Sequence, residues 1–234
     1  MIKSKKIFIT GISTGLGKSL CSILSQNNNK IYSLGRSNIK NKNKNVKYEK
    51  CNLKKISSIK FKLKKLIDTK KIDYVFLNAG ILGKIDKIEK INYKSLDTIF
   101  KINVFANKEI IDFLIKNKIK TKLIIAISTG AAIKPKYGWH LYCSSKAAFK
   151  FLIESYANEH RDRKFVNIAP GLIKTKMQKQ ICRVNEKKIS SVKKFKILNK
   201  NNEVPSPDKV AMNIIKSISV LKIDSGQYID IRKK

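Results

Sequence analysis

A short apolar run, Lys6–Thr10, passes into Thr10-Gly11-Ile12-Ser13-Thr14-Gly15-Leu16-Gly17, and a helical apolar pattern over Leu16–Gln26 follows at once. Few folds accept three glycines in that place. A chain that leaves a strand and enters a helix so quickly must turn sharply, bring backbone close to a ligand and seat the helix tightly on the sheet. Each of those steps is eased where a Cβ is missing. The helix N-terminus then offers free N–H groups and the positive end of its dipole, a setting for a pyrophosphate. Gly11, Ser13, Thr14, Gly15, Leu16 and Gly17 are therefore candidate cofactor contacts; a tight turn without a ligand is the alternative.

The rest of the chain alternates in the same way. Strand-like runs at Lys30–Leu34, Val46–Glu49, Tyr74–Leu77, Leu123–Ile127, Phe165–Ile168 and Gln227–Ile231 are interleaved with helical spacing at Ile56–Ile67, Tyr93–Asn117, Leu141–Glu159 and Asp208–Ser219. This alternation predicts a Rossmann-type α/β fold, a doubly wound parallel sheet with helices on both faces. No repeat or linker divides the chain, so residues 1–234 are expected to form a single domain. Asn38–Asn45 reads as a polar loop, and the Lys-rich stretch 177–204 as either a substrate lid or a solvated, partly helical loop.

Composition bears on partners. The net charge of +36 would ordinarily point to nucleic acid or an anionic membrane. The excess is almost all lysine, with only five arginines, and it is spread along the chain among many Ile and Asn residues. These three residue types share A/T-rich codons, so biased base composition accounts for the pattern without a function. No specific nucleic-acid partner and no membrane is expected, since no run approaches the ~20 apolar residues that span a bilayer. Four scattered cysteines, without metal spacing, read as reduced in a cytoplasmic protein. No metal site is expected.

The second strand-like run ends at Leu34-Gly35-Arg36-Ser37, with no acidic residue to bond the ribose hydroxyls of NAD. Arg36 suits a 2′-phosphate or an adenine face, which favours NADP(H) over NAD(H). Tyr142 and Lys146 stand one turn apart on a helical stretch, and an ammonium beside a phenol lowers the phenol's pKa. A tyrosine tuned in this way can protonate a carbonyl oxygen as hydride reaches the carbon. Upstream, Ser128 and Thr129 follow the apolar run Leu123–Ile127, at the strand end where such sheets bind ligands. Asn78-Ala79-Gly80 follows another buried run, and Asn103 is a polar residue amid apolar helical neighbours. Trp139 reads as pocket wall or core, and His140 as pocket lining or a solvent-facing residue at the helix entry. Cys143 has no paired base and reads as packing.

Taken together, these residues resemble the short-chain dehydrogenase/reductase family over nearly the whole chain. Within that family, Gly138-Trp139-His140-Leu141-Tyr142-Cys143-Ser144-Ser145-Lys146, Ser206-Pro207-Asp208 and Gly226-Gln227-Tyr228-Ile229-Asp230 are similar to the sepiapterin reductase and bacterial benzil reductase branch. The resemblance implies that Gly11, Gly15 and Gly17 form the glycine motif, and that Asn78, Ala79 and Gly80 shape the adenosine side. It implies that Asn103 holds a water of a proton relay through a local helix distortion. Tyr142 and Lys146 become the catalytic pair, with Lys146 also on the nicotinamide ribose, and Pro170, Gly171 and Thr175 cover the nicotinamide. Two positions depart from the pattern. Thr129 stands where the family places a serine, thirteen residues before Tyr142, with Ser128 the alternative hydroxyl, and Asn52 replaces an acidic residue after the third strand. The implied activity is NADPH-dependent reduction of a small ketone, such as a vicinal dicarbonyl, by a homodimer or homotetramer. The alternative is a pathway intermediate such as a 3-oxoacyl thioester or a sugar derivative.

Overall fold

The computed structural model describes residues 2–37 and 43–233, so most of the expected loop Asn38–Asn45 lies outside the described residues. Seven strands make one parallel sheet: β1 (Lys6–Thr10), β2 (Lys30–Gly35), β3 (Val46–Lys50), β4 (Tyr74–Leu77), β5 (Leu123–Ile127), β6 (Lys164–Ala169) and β7 (Tyr228–Asp230). Their spatial order is β3-β2-β1-β4-β5-β6-β7. Ile7 on β1 is in register with Ile31 on one side and Tyr74 on the other. The sheet therefore grows outward in both directions from β1 and β4, leaving a crevice where the winding reverses. β4 and β5 are buried at every position, as expected of central parallel strands covered on both faces.

The helices are α1 (Gly15–Ser25), α2 (Ile56–Leu66), α3 (Tyr93–Phe100), α4 (Ala106–Lys116), α5 (His140–Glu159), α6 (Lys176–Cys182), α7 (Lys193–Lys200) and α8 (Pro207–Val220). One core layer joins Leu63, Ile110, Phe149 and Ile153 of α2, α4 and α5 to the sheet. The opposite layer joins Leu20 and Leu24 of α1 with Ile214 and Ile215 of α8. The Ser206-Pro207-Asp208 stretch opens α8: the Ser206 hydroxyl accepts from the Lys209 N–H at 3.2 Å, and Pro207 takes the first helical turn, where no N–H is needed.

The helical stretch Tyr93–Asn117 carries a local distortion of the kind the resemblance implied at Asn103: a π-helical turn at Lys101–Phe105 separates α3 from α4. This wide turn accommodates buried Asn103, whose amide bonds both backbone groups of Ile81 across the adjacent loop. The stretch 177–204 is partly helical, with one face buried and the rest open to solvent. It folds into the end of α6, a 3₁₀ turn at Ser190–Val192, and α7. Its Ile181, Ile189, Val192 and Phe195 pack against Leu82, Trp139 and Cys143 as a third apolar cluster. Spaced apolar residues within a lysine-rich sequence were enough to bury one face.

Candidate active site

A cleft of about 850 Å³ runs along the carboxyl ends of the strands, across the crevice between β1 and β4. Of the expected site residues, Gly11, Ser13, Thr14, Gly15, Leu16, Arg36, Asn52, Asn78, Ala79, Gly80, Ser128, Thr129, Trp139, Tyr142, Lys146, Pro170, Gly171 and Thr175 line it. Gly17, Asn103 and His140 do not; the first two act on the groups that do.

At one end the wall is built by close backbone packing. Gly11 has φ +76° and Gly15 φ +56°, left-handed conformations that favour glycine. A Cβ on Gly17 would lie 2.2 Å from the Gly11 carbonyl oxygen and 2.4 Å from Asn78 Nδ2, so α1 seats on the turn only because that atom is missing. Asn78 Nδ2 donates to the carbonyls of Thr10 and Gly11, at 3.0 and 3.4 Å. The Thr10 hydroxyl accepts from the N–H groups of Asn78 and Ala79, at 3.0 and 2.9 Å. Thr10 thus ties the two strand ends together, a role that its place before the first glycine could have signalled. Thr14 caps α1 without a side-chain bond, and the first turn holds no acidic residue. Arg36 is exposed at the end of β2, with Asn52 on the same side of the cleft.

Toward the middle, Lys146 is buried on α5 and donates to the Ile127 carbonyl at 2.8 Å. Burial brings its pKa down from 10.5 to about 8. Tyr142, one turn earlier, has its ring centroid 6.0 Å from the Lys146 ammonium. The expected lowering of the phenol's pKa by that lysine does not prevail. Burial pushes the phenol well above its ordinary value, neighbouring Cys143 adds to the rise, and a hydrogen bond with the Thr129 side chain opposes it. The Thr129 hydroxyl also accepts from the Ala131 N–H at 3.3 Å. The Ser128 hydroxyl is buried without a partner.

Asn103 supports this region from behind. Its Oδ1 accepts from the Ile81 N–H at 2.8 Å, and its Nδ2 donates to the Ile81 carbonyl at 2.9 Å and to the Ser145 hydroxyl at 3.0 Å. Ser145 in turn donates to the Tyr142 carbonyl at 2.9 Å. The amide is thereby committed to protein partners. Its backbone carbonyl accepts from Asn107 Nδ2 at 2.9 Å. A Cβ on Gly80 would lie 3.2 Å from Asn103 Oδ1 and 3.7 Å from Lys146 Nζ, so this glycine leaves room for both.

The far end is built from side chains. Trp139 meets Tyr142 edge-on at 6.4 Å and lies 5.0 Å from Phe195. Lys136 Nζ stands 5.5 Å from the centre of the Phe195 ring. Phe195 belongs to α7, within the stretch read as loop or lid; an isolated aromatic in a polar run was the available signal for it. Gln180 Nε2 donates to the Gly83 carbonyl at 3.0 Å and the Ser191 hydroxyl to the Tyr137 carbonyl at 2.7 Å, fastening this stretch to the facing loops. His140 packs outside the cleft, its Nε2 buried and unpaired, and burial holds its pKa below the usual value against the nearby Glu89 and Asp86.

Comparison with known proteins agrees with this arrangement. Residues 5–186 match the model of the short chain dehydrogenase family. The chain is 26% identical to the benzil reductase ((S)-benzoin forming) of Bacillus cereus, over 96% of this chain and 98% of that protein. It is 30% identical to an uncharacterized oxidoreductase of Schizosaccharomyces pombe, over 97% and 96% respectively. Rat sepiapterin reductase is 26% identical over 66% of this chain and 56% of its own length. The structure of the KRED1-Pglu enzyme superposes with a TM-score of 0.87 at 24% identity, covering 96% of this chain and all of that one. ElxO with NADP bound superposes at 0.77 with 21% identity, covering 97% of each chain. With the glycine turn, the Tyr142–Lys146 pair and the parallel sheet in their places, the chain belongs to the short-chain dehydrogenase/reductase family, an oxidoreductase acting between carbonyl and alcohol and related to the benzil and sepiapterin reductases.

Proposed function

We propose that this protein is an NADP(H)-dependent reductase of small ketones, including vicinal dicarbonyls, in which Tyr142 is the proton donor. The observation that carries the reading is Tyr142 beside buried Lys146, with Thr129 lining the same cleft, which the glycine turn enters.

The residues present fit a nicotinamide dinucleotide. The Cβ-free packing of Gly11 and Gly17 and the uncapped first turn of α1 would receive its pyrophosphate. Asn78, Ala79, Gly80 and Asn52 would border the adenosine, with Arg36 on the 2′-phosphate; the NADP bound by the fold neighbour ElxO supports that choice. Pro170, Gly171 and Thr175 would cover the nicotinamide and Lys146 its ribose. When bound, the cofactor supplies hydride to the substrate carbon.

The chain's own groups do the rest. Burial keeps the Tyr142 phenol protonated, ready to give its proton to the carbonyl oxygen. Thr129 directs its hydroxyl at the same oxygen, and its extra methyl restricts its rotamer and the width of the site. Lys146 keeps N–H groups beyond the one given to Ile127, and the Asn103 carbonyl lies in the wide π turn. These two groups are placed to hold a water that returns a proton to Tyr142. Ser128, Trp139 and the stretch 177–204 border the substrate, the last as a cap that opens for entry.

The whole chain is read as one domain. Exposed Tyr93, Phe105 and Phe151, on neighbouring elements, support a homodimer or homotetramer. Four free cysteines suit the cytoplasm, and among the described residues no helix is long and apolar enough to cross a membrane. The test is the loss of NADPH absorbance with diketones, pterins of the sepiapterin type, simple ketones and a β-ketoacyl thioester, with NADH in parallel. Turnover of diketones with NADPH is expected; turnover of the thioester alone would refute the substrate class.

A further inference from the structure

The charges bordering the cleft are one-sided. Among its described lining residues there is no Asp or Glu. Of the cations, Arg232 is neutralised by Asp230, at 2.5 and 2.9 Å, and Lys146 is buried against the Ile127 carbonyl. Arg36 stands at the end of β2, and Lys176 follows Thr175, whose side chain faces Gly15 at the glycine turn. Three lysines remain, at the opposite end: Lys134 and Lys136 from the loop before α5, and Lys194 from α7. None of the three forms an ion pair among the described residues, and no carboxylate lines the cleft to neutralise them.

Their setting relative to Tyr142 gives them a use. The rings of Tyr142, Trp139 and Phe195 form a continuous wall, and the Lys136 ammonium stands over the last of them. A carbonyl at Tyr142 and Thr129 would therefore lie at one end of a row of aromatic rings, with unpaired positive charge at the other. Lys136 is only partly exposed, and a cation withdrawn from water attracts an anion more strongly than one fully solvated.

We propose that the physiological substrate is an anionic ketone, whose apolar body lies along the row from Tyr142 to Phe195 and whose carboxylate or phosphate is held by Lys136 with Lys134 and Lys194. This rests on the reductase reading above. The chemistry is unchanged: hydride from NADPH forms the C–H bond, the proton of Tyr142 forms the O–H bond, and the anionic group only binds.

The experiment compares benzil, benzil bearing a ring carboxylate and benzil bearing a ring phosphonate, all at saturating NADPH. The expected result is that at least one anionic form exceeds benzil in kcat/KM by about tenfold at low salt, mainly through KM. The better anion tells carboxylate from phosphate. High salt should erode the preference. The double variant Lys136→Gln/Lys194→Gln should lower the anionic-to-neutral ratio by about tenfold, and Lys136→Arg should keep it. Equal kcat/KM for neutral and anionic forms, insensitive to salt, would overturn the proposal while the reductase reading stands. No turnover of any of the three, with NADPH still bound, would overturn the reductase reading and this inference with it.

Discussion

At the glycine-turn end of the cleft the wall is largely backbone: the Gly11 carbonyl packed against Gly17, the Thr10 and Gly11 carbonyls held by Asn78, and the uncapped first turn of α1. At the other end it is side chain: Trp139 at the start of α5, Phe195 from α7 and Lys136 from the loop before α5. The first wall tolerates little change, because a missing Cβ has one neighbourhood and the surrounding backbone cannot retreat. The second can be repacked with other residues of similar volume. A fold that keeps one cofactor and varies its substrates would be expected to divide its cleft in this way.

Four substitutions and one matched control test that division. The largest effect is expected between the two ends, where Tyr142→Phe should lower kcat by about 10²–10⁴-fold with NADPH affinity retained. Near-normal turnover would place the proton donor elsewhere.

Lys146→Met should abolish turnover while raising thermal stability at neutral pH. The lysine titrates near pH 8 when folded, against 10.5 when free, so the folded state disfavours its charge. That penalty, roughly 3 kcal/mol, is complete below pH 8 and vanishes as pH rises through 10.5. The gain in Tm should fade over the same window. A lower Tm at pH 7 would show that the bond to the Ile127 carbonyl outweighs the buried charge.

Gly17→Ala should cost about 1–3 kcal/mol of stability, with weakened NADPH binding, since its Cβ meets backbone and a held amide. Gly130→Ala, where nothing lies within 4 Å of the added atom, is the matched control. Equal denaturation midpoints for the two would erase the contrast between a backbone-packed wall and an open one. The smallest change is expected for Arg36→Gln, a fall of about tenfold in the preference for NADPH over NADH. An unchanged ratio would remove Arg36 as the selector.

The sequence by itself determined the alternation of strands and helices, and hence the doubly wound sheet, because parallel strands buried on both faces leave unbroken apolar runs such as Leu123–Ile127. It determined the glycine turn, since missing side chains are visible as letters, and the spacing of Tyr142 and Lys146, since one helical turn is a local distance. Only the tertiary structure decided what depends on contacts between distant segments. The π turn at Lys101–Phe105 goes with the bonds of Asn103 to Ile81 and Ser145, partners far away in the chain. The stretch 177–204 folds because Trp139 and Leu82 offer its apolar residues a surface. Burial, not the neighbouring ammonium, sets the proton affinity of Tyr142, because desolvation is a property of everything packed around a group, which no spacing along the chain records.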